Sequence, residues 1–176
     1  MKLFFVGFMG SGKSTFGNQL SQFLNLTFFD LDNYIENKYQ CKISVIFEKQ
    51  GEDFFRKIEH NSLLEIINQN SSFVLSTGGG TPCYYNNMQI MLESGIVTYL
   101  KIPVETIYQR LISSNKVRPL VKNKTNNELK EWINKNLAFR ETYYNKAHII
   151  IDSLNLKPTT FVDYLEQLNI SLNKLQ

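Results

Sequence analysis

The feature that most constrains this chain is an octapeptide near its start, Gly7-Phe8-Met9-Gly10-Ser11-Gly12-Lys13-Ser14. It fits G-x-x-x-x-G-K-[ST] at every fixed position. An apolar run, Lys2 to Val6, leads into it. A stretch with Phe16, Leu20, Phe23 and Leu24 on one helical face follows. A strand, a glycine-rich curl and a helix in that order turn successive backbone N–H groups toward a phosphate, and the helix adds its positive N-terminal end. Lys13 is placed to reach the β- and γ-phosphates, and the Ser14 hydroxyl to ligate Mg²⁺. Gly10, Ser11, Gly12, Lys13, Ser14 and Thr15 are therefore the expected ATP-binding residues. The bland alternative, a glycine-rich turn that binds nothing, has the strand and helix context against it. The loop specifies a nucleotide phosphate and does not name an acceptor.

The rest of the chain repeats that alternation. Further strands are expected at Thr27–Asp30, Phe73–Ser76, Ile96–Leu100 and His148–Asp152. Helices are expected over Asn33–Asn68, broken near Cys41 and again near Gly51, and over Asn86–Glu93, Pro103–Leu111, Glu128–Tyr144 and Pro158–Leu172. Ser113 to Asn127 is polar and reads as a mobile surface segment. Short apolar runs alternating with helical stretches imply an α/β fold: a parallel five-stranded sheet between helices on both faces. With 176 residues and no linker or repeat, the chain reads as one domain.

Composition excludes several function classes. A net charge of +3 is too mild to argue for nucleic acid. No apolar run is long enough to span a membrane, and no signal-peptide pattern is visible, so a cytoplasmic location is expected. Two isolated cysteines, Cys41 and Cys83, suit neither a disulfide framework nor a cysteine metal site. Of the 19 basic residues only Arg56, Arg110, Arg118 and Arg140 are arginine. Where lysine carries the ordinary surface charge, arginine marks places that need a planar, forked donor, although chance accounts for some of them.

Two features point to the acceptor. Asp30 and Asp32 stand at the end of the second strand, on the side of an open parallel sheet where ligands bind. One carboxylate can hold a water of the Mg²⁺ shell and the other can take a proton from a hydroxyl, unless Asp32 merely caps a helix beginning at Asn33. Gly78-Gly79-Gly80 follows the third strand and would let a ligand approach the backbone, unless it is only a flexible loop.

Together these stretches resemble the shikimate kinase family: GFMGSGKST from Gly7, FFDLD from Phe28, IFEKQGEDFFRKIE from Ile46, STGGG from Ser76, RPLV from Arg118, and the helix with Arg140 and Tyr143. They keep the family's order across nearly the whole chain. The resemblance implies a nucleoside monophosphate kinase-like fold and transfer of the ATP γ-phosphoryl to the 3-hydroxyl of shikimate, in aromatic amino acid biosynthesis. Mg²⁺ is the expected cofactor and shikimate and ATP the expected partners, with a monomer expected although the sequence does not reveal the oligomeric state. At matching positions Asp32 binds and activates the acceptor hydroxyl, and Asp30 supports Mg²⁺ through water. Arg56 and Arg140 clamp the carboxylate, Gly78, Gly79 and Gly80 hold the substrate, and Phe47 and Phe55 line the pocket. Glu59 braces Arg56. Arg118 joins Lys13 and Asp32 as a catalytic residue and also contacts ATP. A substrate subdomain covers about 33–60 and a lid about 113–125. Arg110 and the 152–158 loop resemble the adenine side, though a solvated helix face explains Arg110 equally well. The Thr81-to-Tyr85 segment departs from the family. His60 and His148 have no visible partners and are not expected to be catalytic. The competing readings are a gluconate-type kinase, which the triple glycine and Phe55-Arg56 disfavour, and a nucleotide-binding switch, which the acceptor-side residues disfavour.

Overall fold

The computed structural model describes residues 1–113 and 125–168. In chain order the elements are β1 (Lys2–Val6), α1 (Lys13–Leu24), β2 (Phe28–Asp30), α2 (Leu31–Tyr39), α3 (Ile43–Gln69) and β3 (Phe73–Ser76). There follow a 3₁₀ turn (Thr81–Cys83), α4 (Asn87–Ser94), β4 (Ile96–Lys101), α5 (Val104–Ile112), α6 (Asn126–Tyr144), β5 (Ile149–Asp152) and α7 (Pro158–Gln167). The five strands form one parallel sheet in the order β2-β3-β1-β4-β5.

Strand β1 lies in the middle because it can be buried on both faces. Phe4 and Val6 point into one core with residues of α2 to α6, whereas Leu3 and Phe5 point into another with Phe16 and Leu20 of α1 and Phe161 and Leu165 of α7. Phe73 and Leu75 of β3 divide from Val74 in the same way. This period-two division of apolar residues between two covered faces makes three layers. The chain leaves β1 toward β3 and β2 and later crosses to β4 and β5, so a topological switch point falls beside β1. A ligand crevice belongs there, outside the carboxyl ends of the strands.

Two boundaries differ from expectation, and one helix break falls where it was expected. Helix α2 starts at Leu31 directly on the end of β2, and Asp30, not Asp32, is its cap, its Oδ1 accepting from Asn33 N at 3.2 Å. Burial of Leu31 and Ile35 one helical turn apart fixes that start. Helix α3 runs through Gly51, whose φ of +79° breaks its geometry at the expected glycine. Helix α6 begins at Asn126, where Thr125 and Glu128 form a reciprocal capping box.

Candidate active site

The site lies on the carboxyl edge of the sheet. After β1 the chain curls through Gly10 and Gly12, with φ of +83° and +94°, conformations that a Cβ strains. Gly12 is also the cap of α1 and has no side-chain cap, so the helix's first N–H groups face the loop rather than a side chain. Lys13 is buried, and its Nζ donates to Gly7 O and Phe8 O, both at 2.9 Å, across the curl. Ser14 is exposed at the mouth. Its hydroxyl donates to Asp30 Oδ2 and lies 3.3 Å from Ser76 Oγ. The same Asp30 that caps α2 is thereby tied to the phosphate loop.

A cleft of about 480 Å³ opens on this loop, lined by Gly10, Ser11, Gly12, Lys13, Ser14 and Thr15 on one side and by Arg110, Ser153, Asn155 and Leu156 on the other. Arg110 donates to Gly10 O at 2.7 Å and Ser153 to Ser11 O at 3.0 Å. Arg110 and the 152–158 loop thus meet the phosphate loop, and a purely solvated role for Arg110 is excluded.

The second half of the site surrounds the triple glycine. None of the three glycines has a positive φ, so conformational freedom is not their reason. Space is. A Cβ on Gly78 would sit 3.0 Å from Asp32 Oδ1 and from Glu59 Oε1, one on Gly79 3.0 Å from Arg140 Nη1, and one on Gly80 2.6 Å from Arg56 Nη2. The glycines let four charged side chains close on one strip of backbone. Tyr144, fully buried, donates its hydroxyl to Gly79 O and pins that strip.

Arg56 is 8% exposed at its side chain and Glu59 1%. They pair at 2.7 Å, and Glu59 also accepts from Thr81 Oγ1 at 2.7 Å. Burial works against the Arg56 charge, but Glu59, Tyr84 and Glu52 more than offset it and raise its pKa. The guanidinium faces the rings of Phe47, Phe55 and Tyr84 at 5.9, 5.1 and 4.2 Å. Arg140 lies over the Phe8 ring at 5.1 Å and so links α6 to the phosphate loop.

Asp32 sits between these halves. Burial, together with the negative charges of Asp30 and Glu59, raises its pKa from 3.8 to about 7, against the opposing pull of Lys13 and Arg56. A carboxyl poised there is suited to take a proton from an attacking hydroxyl near neutral pH.

Every described residue expected in the site therefore meets at this edge. Arg118 lies outside the described residues. Glu52, Thr81, Tyr84, Tyr144 and Ser76 have no role in the sequence reading; Glu52 stands one helical turn before Arg56 and was visible by that spacing, whereas the others meet partners distant in sequence. The histidines serve the scaffold: His60 Nδ1 lies 2.6 Å from Asn87 Oδ1, and His148 Nδ1 accepts from Val97 N at 3.1 Å. Burial pushes the Cys83 thiol up to about 11, so it is no nucleophile.

A parallel sheet with a phosphate loop at its switch point, and a carboxyl and two arginines gathered beside it, has the build of a P-loop kinase. The family described as shikimate kinase matches residues 9–169. A shikimate kinase of Azobacteroides pseudotrichonymphae is 43% identical over 95% of this chain and 96% of its own length. The crystal structure of shikimate kinase from Bacteroides thetaiotaomicron superposes with a TM-score of 0.87 at 32% identity, covering 97% of this chain and 99% of the other. That of the Acinetobacter baumannii shikimate kinase in complex with shikimate gives 0.83 at 34% identity, covering 99% and 95%. The chain belongs to the shikimate kinase family. It is an ATP-dependent kinase that phosphorylates an alcohol.

Proposed function

We propose that the acceptor alcohol is the 3-hydroxyl of shikimate and that the residues above carry the transfer. The observation that carries this reading is the convergence of Asp32, Arg56 and Arg140 on Gly78-Gly79-Gly80, beside the phosphate loop. Shikimate has one carboxylate and three hydroxyls. Its recognition needs forked cations for the carboxylate, an acceptor for a hydroxyl proton and backbone close at hand. In this reading Arg56 and Arg140 grip the carboxylate, and Asp32 hydrogen-bonds the 3-hydroxyl and takes its proton as the oxygen attacks phosphorus. Lys13 turns from Gly7 O and Phe8 O to the β- and γ-phosphate oxygens. Most of the segment 113–125, Arg118 included, lies outside the described residues; from its motif alone Arg118 would neutralise charge on the transferring group and the segment would serve as a lid.

The residues present suit Mg²⁺. Ser14 and Asp30 offer adjacent hard oxygens at the phosphate mouth, and among the described residues no cluster of His, Cys, Asp or Glu would form a metal cage alone. Mg²⁺ favours one or two protein oxygens with phosphates and water. Ser14 would bind it directly and Asp30 through water, and when bound it would neutralise phosphate charge. We place the enzyme in the cytoplasm as a monomer. No described helix is long and apolar enough to cross a membrane.

The test is shikimate-dependent ADP release, with Arg56→Lys and Arg140→Lys compared. A charge-assisted hydrogen bond contributes roughly 1.5–3 kcal/mol. Losing much of a forked pair should raise the shikimate KM about tenfold or more and leave the ATP KM nearly unchanged. ADP release that ignores shikimate, or variants that weaken ATP instead, would place the acceptor site elsewhere.

A further inference from the structure

Arg56 carries two carboxylates of different kinds. Glu59 is 1% exposed, pairs at 2.7 Å and spends its other oxygen on Thr81. It is locked. Glu52 has a side chain 49% exposed and reaches Arg56 with one oxygen, Oε1, at 3.2 Å from Nε and 3.1 Å from Nη2. That Nε–Nη2 edge is a side-on fork that receives both oxygens of a carboxylate through two parallel bonds, normally about 2.7–2.9 Å long. Glu52 therefore makes a long, half-complete version of such a pair.

What holds it there is Tyr84. The Tyr84 hydroxyl donates to the same Oε1 at 2.8 Å while its ring lies 4.2 Å from the guanidinium carbon. Three groups close a triangle: ring on cation, hydroxyl on carboxylate, carboxylate on cation. Burial pushes the Glu52 carboxyl up, but the bonds from Tyr84 and Arg56 more than offset this and keep it ionised at neutral pH.

We propose that Glu52 and Tyr84 form a displaceable latch on Arg56: an internal carboxylate occupies the substrate-binding edge of the arginine until the acceptor's carboxylate exchanges with it. This rests on the reading of Arg56 as the carboxylate clamp. The exchange replaces one long-bonded oxygen by two better-aligned ones, and the displaced Glu52 has water to turn into. The latch keeps the buried guanidinium compensated when no acceptor is present, and an acceptor without a carboxylate leaves it closed. The two residues thus tune the affinity for a carboxylate-bearing acceptor without carrying the chemistry.

The experiment measures binding to Glu52→Gln, Tyr84→Phe and the double variant by calorimetry. The ligands are shikimate and an analogue bearing hydroxymethyl in place of the carboxylate. An exposed ion pair or a single hydrogen bond corresponds to about two- to fivefold in affinity. Each single variant should tighten shikimate by about that factor, and the double by no more than the better single, because both remove one device. The analogue's affinity should not change. Tyr84→Phe leaves net charge untouched, so tightening in Glu52→Gln alone would show only the loss of a nearby negative charge and would overturn the latch. Weaker binding in either variant would make these residues ligands or supports, and equal gains for the analogue, or no change at all, would also overturn it. If Arg56→Lys leaves shikimate binding unchanged, the clamp reading fails instead.

Discussion

Replacing Asp32 by asparagine should abolish most turnover and yet stabilise the free protein, by an amount that depends on pH. The carboxyl has its pKa raised from 3.8 to about 7, chiefly by burial and then by the charges of Asp30 and Glu59. Below pH 3.8 the group is protonated in both folded and unfolded chains. Between that value and about 7 the unfolded chain has released its proton and the folded one keeps it, so folded stability falls as pH rises. Above about 7 the loss is complete. The displacement corresponds to about 4 kcal/mol at 1.36 kcal/mol per pH unit. Asp32 keeps part of its surface open to the cleft, and screening by water there reduces this to about 1–2 kcal/mol. Asparagine does not titrate. Its advantage over aspartate should grow from near zero at pH 4 to a plateau above pH 7, worth about 2–8 °C in Tm for a chain of this size. Thermal unfolding of both proteins without ligands at pH 4.5, 6 and 8 measures it. An advantage that is constant across this range, or that shrinks as pH rises, would refute the electrostatic account of the site. The kcat of the variant should fall by about a hundredfold or more, since the proton acceptor is gone while nucleotide contacts remain.

Two further substitutions probe the two halves of the cleft. Lys13→Ala removes the ammonium that bridges Gly7 O and Phe8 O and should lower kcat by about a hundredfold or more, because charge neutralisation dominates phosphoryl transfer; a folded variant with near-normal kcat would remove Lys13 from the mechanism. Gly80→Ala puts a methyl group 2.6 Å from Arg56 Nη2 at a backbone geometry that alanine accepts (φ −91°), so the shikimate KM should rise about tenfold while Tm changes little; an unchanged KM would show that Arg56 tolerates displacement.

How much of this was legible in the sequence follows from the range of each signal. The five strands and the phosphate loop were readable because their causes are local: period-two burial in β1 and β3, and positive φ at Gly10 and Gly12. The start of α2 was misplaced by two residues because strand and helix join without a loop, and only the burial of Leu31 and Ile35 shows where the helix begins. The capping box at Thr125 and Glu128 is visible as T-x-x-E, but it falls in a polar stretch with little apolar pattern to mark a helix start. The Arg56–Glu59 pair was legible from helix spacing, but the partners that reach the cleft from distant elements were illegible in principle. Tyr84 meets Glu52 across 32 residues, and Tyr144 meets Gly79 across 65. No periodicity encodes contacts that form only when separate strand ends arrive at one edge. The triple glycine was read as room for a ligand, and the structure adds that it is first room for Asp32, Arg140 and Arg56.

The arginines show how composition becomes function in this chain. Four lysine ion pairs among the described residues are surface pairs with partners on neighbouring elements: Lys38 with Glu65, Lys42 with Glu36, Lys101 with Glu141 and Lys130 with Glu105. Such pairs add little stability, and a flexible ammonium makes them as well as any cation. The described arginines behave differently. Arg110 bonds the backbone of the phosphate loop, Arg140 lies over Phe8 within that loop and against Gly79, and Arg56 is wedged among three rings, two carboxylates and Gly80. Each position asks for a flat cation that can touch a ring or a strip of backbone with its face while donating from its edge. A lysine meets the charge requirement and fails the planar one. In the described residues, arginine therefore stands where geometry, rather than charge alone, decides the contact at the edge of the phosphate loop.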